Sequence, residues 1–256
     1  GEFVRHIRGG AGRFNRQQLQ QALEGSLKRL QTDYLDLYQL HWPERTTNYF
    51  GKLGFSPPPT PEETTGFEET LEALSDLVKQ GKIRQIGLSN ETPWATMKYL
   101  QIAEAKGLQK IVTVQNPYNL LNRSYEVGLS EIAYQEKVQL LAYSPLGFGV
   151  LSGKYLNNQR PDNARITLFP NYDRYLSDNA VKATQAYADL AKENHLTPAQ
   201  LALAFINSRP FVAANIIGAT TLEQLKENIE SIEITLSESV LQQIETIHRQ
   251  YPIPAP

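Results

Sequence analysis

The chain has 256 residues, of which 41% are hydrophobic and 20% charged, with a formal net charge of −2. That length supports one large core or two small ones, and the near-neutral balance gives no electrostatic case for nucleic acid or an acidic membrane surface. No run approaches a membrane span, no signal-type apolar segment stands near the start, and there are no cysteines for disulfides or thiolate ligands, so a cytoplasmic protein with no membrane partner is expected.

The opening GEFVRHIRGGAGRFN is rich in Gly and Arg and lacks periodicity, so residues 1–14 are expected to form a loop or leader. Asn15 can cap a helix over 16–31, with Leu19, Ala22, Leu23, Leu27 and Leu30 along one face. In LDLYQLHWPE, Leu35, Leu37, Tyr38 and Leu40 predict a buried strand over 34–41 that runs into His41 and Trp42 and stops at Pro43. A polar, Pro-rich stretch 42–65 leads to a helix over 67–80, ended by Gly81. A strand 83–88, a helix 92–106 stopped at Gly107 and a strand 111–115 follow. Next come a helix 124–136, a strand 138–143 and a second long loop, 144–176. Helices 177–194 and 198–208 precede a strand 213–217, and helices 221–230 and 237–250 run into the tail YPIPAP.

Alternation of apolar strands and helices predicts a parallel sheet with helices outside it. An open doubly wound sheet and a barrel both satisfy that pattern. The polar residues favour the barrel. His41, Ser89-Asn90, Gln115-Asn116, Tyr143-Ser144 and Gly218 to Thr221 all fall at the carboxyl ends of successive strands, the face on which (β/α) barrels gather their sites.

Other chemistries are disfavoured by spacing. Gly147, Gly149 and Gly153 give G-x-G-x-x-x-G, one residue too long for a dinucleotide fingerprint. Gly153-Lys154 resembles a P-loop ending, but Phe148 replaces the required glycine and Tyr155 the required Ser or Thr. The four histidines lack metal-ligand spacing, so no metal site is expected, and no Gly-x-Ser-x-Gly elbow occurs.

The series LDLYQLHWPE, GKIRQIGLSNET, VTVQNPYNLLNR, LLAYSPLGFGVLSGKY and IIGATTLEQLKEN resembles the aldo-keto reductase superfamily, in a bacterial branch related to potassium-channel beta subunits. The resemblance covers roughly residues 16–250 and implies a single (β/α)8 TIM-barrel domain. It further implies an extended nicotinamide dinucleotide, NADP as NADPH, and reduction of small-molecule aldehydes and ketones. By this resemblance His41 orients the substrate carbonyl and Trp42 lines the substrate pocket. Ser89, Asn90 and Gln115 hold the nicotinamide carboxamide, a task that suits uncharged donors and acceptors. Tyr143 stacks on the nicotinamide ring, and Ser144, Pro145, Leu146 and Gly147 pass along the pyrophosphate. Lys154 and Arg165 add positive charge near phosphate. Gly218 and Thr220, with Gln224 one turn on, meet the adenosine 2′-phosphate at a helix N-terminus. Glu227 and Asn228 contact the adenine.

The sequence departs from the family in one respect. The family's acid–base set is an Asp and a Tyr from D-x-A-x-x-Y and a Lys on the next strand, yet no Asp-x-Ala-x-x-Tyr occurs in the chain. Five strands are predicted, so the expectation is a barrel truncated to its last five βα units plus a C-terminal helix. Five strands cannot close a barrel of eight, and strand 34–41 would keep an unpaired edge. Two alternatives therefore stand beside the reductase: a nicotinamide-binding regulatory or sensor subunit, and a catalytically inactive truncated product.

Overall fold

The computed structural model describes residues 12–256; of the opening loop or leader, residues 1–11 lie outside the described residues. Five strands form one sheet in sequence order: β1 (Leu35–Leu40), β2 (Ile83–Ser89), β3 (Ile111–Pro117), β4 (Gln139–Tyr143) and β5 (Val212–Ile216). The pairs β1–β2, β2–β3 and β4–β5 are parallel. Parallel strands with helices between them are the arrangement of a partial (β/α)8 barrel. The expected strands all form, with ends shifted by one or two residues. The chain divides into two compact units, one of residues up to Tyr49 with Gly54–Gln115 and Glu136–Val138, the other of Phe50–Leu53, Asn116–Gln135 and Gln139–Pro256.

In the first unit, α1 (Arg16–Leu30) begins where Asn15 Oδ1 accepts from Gln18 N at 3.0 Å. Leu19 and Leu23 are buried, but Leu30, the last helical residue before left-handed Gln31, is 63% exposed. Strand β1 is less buried than its apolar run suggested: only Leu40 is buried, and Leu35, Leu37 and Tyr38 are half-buried. It is an outer strand of the sheet, so it lacks a neighbour on one side. Strand β2 buries Ile83, Ile86 and Leu88. Helix α2 (Phe67–Lys79) buries Leu71, Leu74 and Leu77. Helix α3 (Pro93–Lys106) has Thr92 as its cap, Pro93 in its first turn and left-handed Gly107 at its end, so sequence signals fix both boundaries.

In the second unit, the predicted helix 124–136 is two elements: a 3-10 turn Ser124–Val127, then α4 (Leu129–Glu136). Arg123 tightens the first turn by bonding Glu126 through Nε and Nη2 at 2.8 and 2.7 Å, and Gly128 leaves helical geometry at φ −166° and ψ −37°. The loop 144–176 is also structured. It holds 3-10 segments Gly147–Ser152 and Leu156–Asn158 and a short helix α5 (Arg165–Leu168), so Arg165 opens a helix rather than sitting in a loop. Helix α6 (Asp178–Glu193) precedes α7 (Pro198–Asn207), in which every residue from Leu201 to Ile206 is buried, as befits a helix enclosed in a core. Helix α8 (Leu222–Glu230) follows β5, and α9 (Glu238–Gln250) buries Val240 and Ile244. The tail is seated: Ala255 is buried and its N–H donates to Leu121 O at 3.2 Å. No helix among the described residues is long and apolar enough to cross a membrane.

Candidate functional site

In the first unit, the candidate residues sit where β1, β2 and β3 end. Asn90 has left-handed backbone, φ +53°, a conformation that Asn tolerates better than other non-glycine residues. This turns its main-chain N–H onto Gln115 O at 2.9 Å and its Nδ2 onto His41 O at 2.8 Å. Ser89 Oγ donates to Gln115 O at 2.9 Å and accepts from Asn90 Nδ2 at 3.2 Å. Gln115 Nε2 donates to Gln39 Oε1 at 2.8 Å, which turns its own Oε1 into the available acceptor. Thus His41, Ser89, Asn90 and Gln115 are brought together at the ends of three consecutive strands. The His41 residue is exposed, and its ring packs on Trp42 with centroids 4.3 Å apart. Crowding of the imidazole by protein atoms lowers its pKa below the ordinary value of 6.5, so it is neutral at pH 7.

In the second unit, Tyr143 is half-buried at the end of β4. Burial pushes its phenol up to about 12, against a smaller opposing effect of the Arg174 guanidinium that bonds it. Ser144, at φ +53°, offers its carbonyl to Asn119 Nδ2 and to Gly147 N, each at 2.9 Å. Pro145 is buried and Leu146 half-buried in this turn. Gly147 has φ +52°, and a β-carbon there would meet the Tyr175 ring at 3.2 Å, so both backbone and space call for glycine. Phe148 and Gly149 continue with φ of 57° and 91°. Lys154 lies across Gly149, where a β-carbon would stand 2.9 Å from its Cε. The Arg165 guanidinium sits over Phe148 and Tyr172 at 4.4 and 4.9 Å. Neither cation pairs with a carboxylate among the described residues.

The turn before α8 is closed by its own side chains. Thr220 donates through N and Oγ1 to Gln224 Oε1 at 3.0 and 3.1 Å, and Thr221 Oγ1 accepts from Gln224 N at 3.2 Å. Asn228 is buried and donates Nδ2 to Gly218 O at 3.3 Å, so it shapes the Gly218 turn. Glu227 accepts from the Thr197 hydroxyl that caps α7. Residues absent from the sequence-based set also contribute: Asn119 and Tyr175 brace the Ser144–Gly147 turn, and Arg174 braces Tyr143. Asn119 stood in a readable motif, VTVQNPYNLLNR, whereas Arg174 and Tyr175 lie in a loop without periodicity.

The parallel α/β sheet is that of a partial (β/α)8 barrel, and the sequence match agrees with it. Residues 6–249 match the model of the Aldo/keto reductase family, and the chain belongs to that family of carbonyl oxidoreductases. It is 54% identical to Protein tas of Escherichia coli (strain K12), over 94% of this chain and 70% of that protein. It is 37% identical to an aldo-keto reductase of Babesia bovis, over 87% of this chain and 82% of that one. L-glyceraldehyde 3-phosphate reductase of Escherichia coli O157:H7 is 29% identical, over 90% of this chain and 63% of that protein.

Proposed function

We propose that the chain holds NADPH and a small aldehyde or ketone for carbonyl reduction. The observation that carries this reading is the pair Lys154 and Arg165: two cations without carboxylate partners among the described residues, set beside the left-handed Phe148-Gly149 backbone. Such charge beside left-handed backbone suits a pyrophosphate. The donor set fits the rest of the cofactor. Gln115 Oε1 and Asn90 are suited to the carboxamide, the Tyr143 ring to the nicotinamide face, and Thr220 and Gln224 to the 2′-phosphate. Glu227 and Asn228, one turn further along α8, are the residues expected to contact adenine. When bound, the reduced nicotinamide supplies a hydride to the carbonyl carbon. A neutral His41 keeps an N–H to donate to the carbonyl oxygen, where negative charge develops. Trp42 beside it offers an apolar wall to the substrate.

Fluorescence titration of the chain with NADPH and NADH tests this reading. A charge-assisted hydrogen bond contributes roughly 1.5–3 kcal/mol, so one such contact to the phosphate should favour NADPH about ten- to 150-fold. Thr220→Glu should abolish that preference. Equal affinities in the parent, or unchanged NADPH binding in the variant, would remove this turn from the site. Where turnover is measurable, His41→Ala should lower kcat more than it weakens NADPH binding.

A second reading is cofactor binding without turnover, for no Asp-x-Ala-x-x-Tyr occurs in the sequence and the buried tyrosines do not replace it. Burial raises the phenol pKa of Tyr99, Tyr118, Tyr125, Tyr143, Tyr175 and Tyr187. Each is thereby a poorer proton donor at pH 7, the opposite of what acid catalysis at a carbonyl needs. Saturable NADPH binding without oxidation of NADPH by 4-nitrobenzaldehyde would establish this second reading.

A further inference from the structure

We infer that Arg45 is a positioning residue: through Glu91 it holds the loop after β1, with His41 and Trp42, and the loop after β2, with Ser89 and Asn90, as one piece. The inference rests on the reading of His41 and Asn90 as site residues. Arg45 lies four positions beyond His41, and Glu91 directly follows Asn90. The guanidinium meets the Glu91 carboxylate as a fork, Nη1 to Oε2 at 3.1 Å and Nη2 to Oε1 at 2.6 Å, and Nη2 also donates to Thr92 Oγ1 at 3.0 Å. Its faces are covered as well, by Phe67 at 5.6 Å and Trp94 at 5.2 Å from the ring centroids. Both edge and face of the guanidinium are therefore fixed, a task for Arg and not for Lys.

The surroundings leave the pair little freedom. Glu91 is 6% exposed, and its Oε1 also accepts from Thr92 N at 2.7 Å. On the other side, Pro43 is buried and Glu44 takes the main-chain N–H groups of Phe14 and Thr65 at 2.8 and 2.9 Å. Glu44 thus closes both ends of the 42–65 loop, and Arg45 fastens that closed loop to the start of α3. A buried ion pair adds little net stability over an apolar pair of similar volume. What the fork adds is register: it joins the Asn90 to His41 bond and the Arg45 to Thr92 bond as a further attachment between the loops, and several attachments fix orientation where one permits pivoting.

The test uses the full chain with Arg45→Met/Glu91→Leu, which replaces the pair by apolar groups, and Arg45→Lys, which keeps the charge without the fork. Hydrogen exchange is read on protein without cofactor, so it does not depend on activity. At an unfolding midpoint close to the parent's, the double variant should exchange about ten- to a hundredfold faster at residues 41–46 and at 89–92 together, as loss of a bidentate charged contact implies. Arg45→Lys should fall between it and the parent. Where NADPH is oxidised by 4-nitrobenzaldehyde, kcat should fall by more than NADPH affinity does. Unchanged exchange, or faster exchange in one loop only, overturns the inference. Failure of the parent to bind NADPH would sink the proposed function and leave the exchange result to decide whether Arg45 couples the loops.

Discussion

The side-chain amide of Asn90 donates to the main-chain carbonyl of His41 at 2.8 Å, so the residue that follows β2 holds the residue that follows β1. The bond depends on left-handed backbone at Asn90, with φ +53°. Substitutions can separate the two effects. Asn90→Gly keeps the backbone and loses the bonds, while Asn90→Ala loses both. Left-handed backbone costs a residue with a β-carbon roughly 1–2 kcal/mol, so urea denaturation should rank parent above Gly and Gly above Ala. An Ala variant as stable as the Gly variant would show that the backbone relaxes and that φ is not enforced.

Gly87 should resist substitution for a different reason, since its backbone is ordinary strand. A β-carbon there would stand 2.5 Å from Thr113 Oγ1 and 3.1 Å from Gln39 Cγ, its partners on the neighbouring strands. Gly87→Ala should destabilise by about 1–3 kcal/mol through overpacking. Thr113→Ala removes the nearest atom and one buried hydroxyl that lacks a hydrogen-bond partner among the described residues. Added to Gly87→Ala, it should restore part of the loss; strictly additive losses in the double-mutant cycle would refute the steric account.

Acid sensitivity should begin at the histidines. Partial desolvation of the imidazole by surrounding protein atoms lowers His41, and burial followed by the nearby Arg123 lowers His248, whose neighbours Glu126 and Glu245 oppose the shift. Both fall below the ordinary value of 6.5, so as pH drops through that value the unfolded chain takes up protons that the folded chain refuses. Stability from these groups is present above pH of about 6.5 and declines as pH falls through it. Glu44, held low by Arg13, Thr65 and Phe14 against its own burial, adds a further loss only below about 4.5. Denaturation at pH of about 7.5 and 5.5 should show a smaller difference in His248→Gln than in the parent. The same difference in both proteins would mean that His248 titrates alike in the folded and unfolded chain.

What the sequence by itself determined was local. Asn15 and Gly107 mark helix ends because capping acts within four residues, and each is found at the cap predicted, whereas Thr92, expected as the first helical residue, is itself the cap. Continuous apolar runs showed the strands, and their polar last residues pointed to the strand ends as the place of the site. Burial was less legible. The run Leu35 to Leu40 reads the same whether a strand has one neighbour or two, and only the sheet order shows β1 to be outermost. Gly128 and Arg165 were misjudged for a related reason: a 3-10 turn held by Arg123 and Glu126, and a four-residue helix in a long loop, are too short to show periodicity. The pairs that shape the site were beyond sequence reading. Arg45 and Glu91 lie 46 residues apart, Asn90 and His41 lie 49 apart, and Gln115 and Gln39 lie 76 apart. Such partners meet because parallel register sets Gln39 against Gly87 and Ser89 against Gln115, bringing successive βα loops to one end of the strands. Local propensity specifies each strand and helix, but only tertiary pairing decides which distant polar groups finish within hydrogen-bond reach.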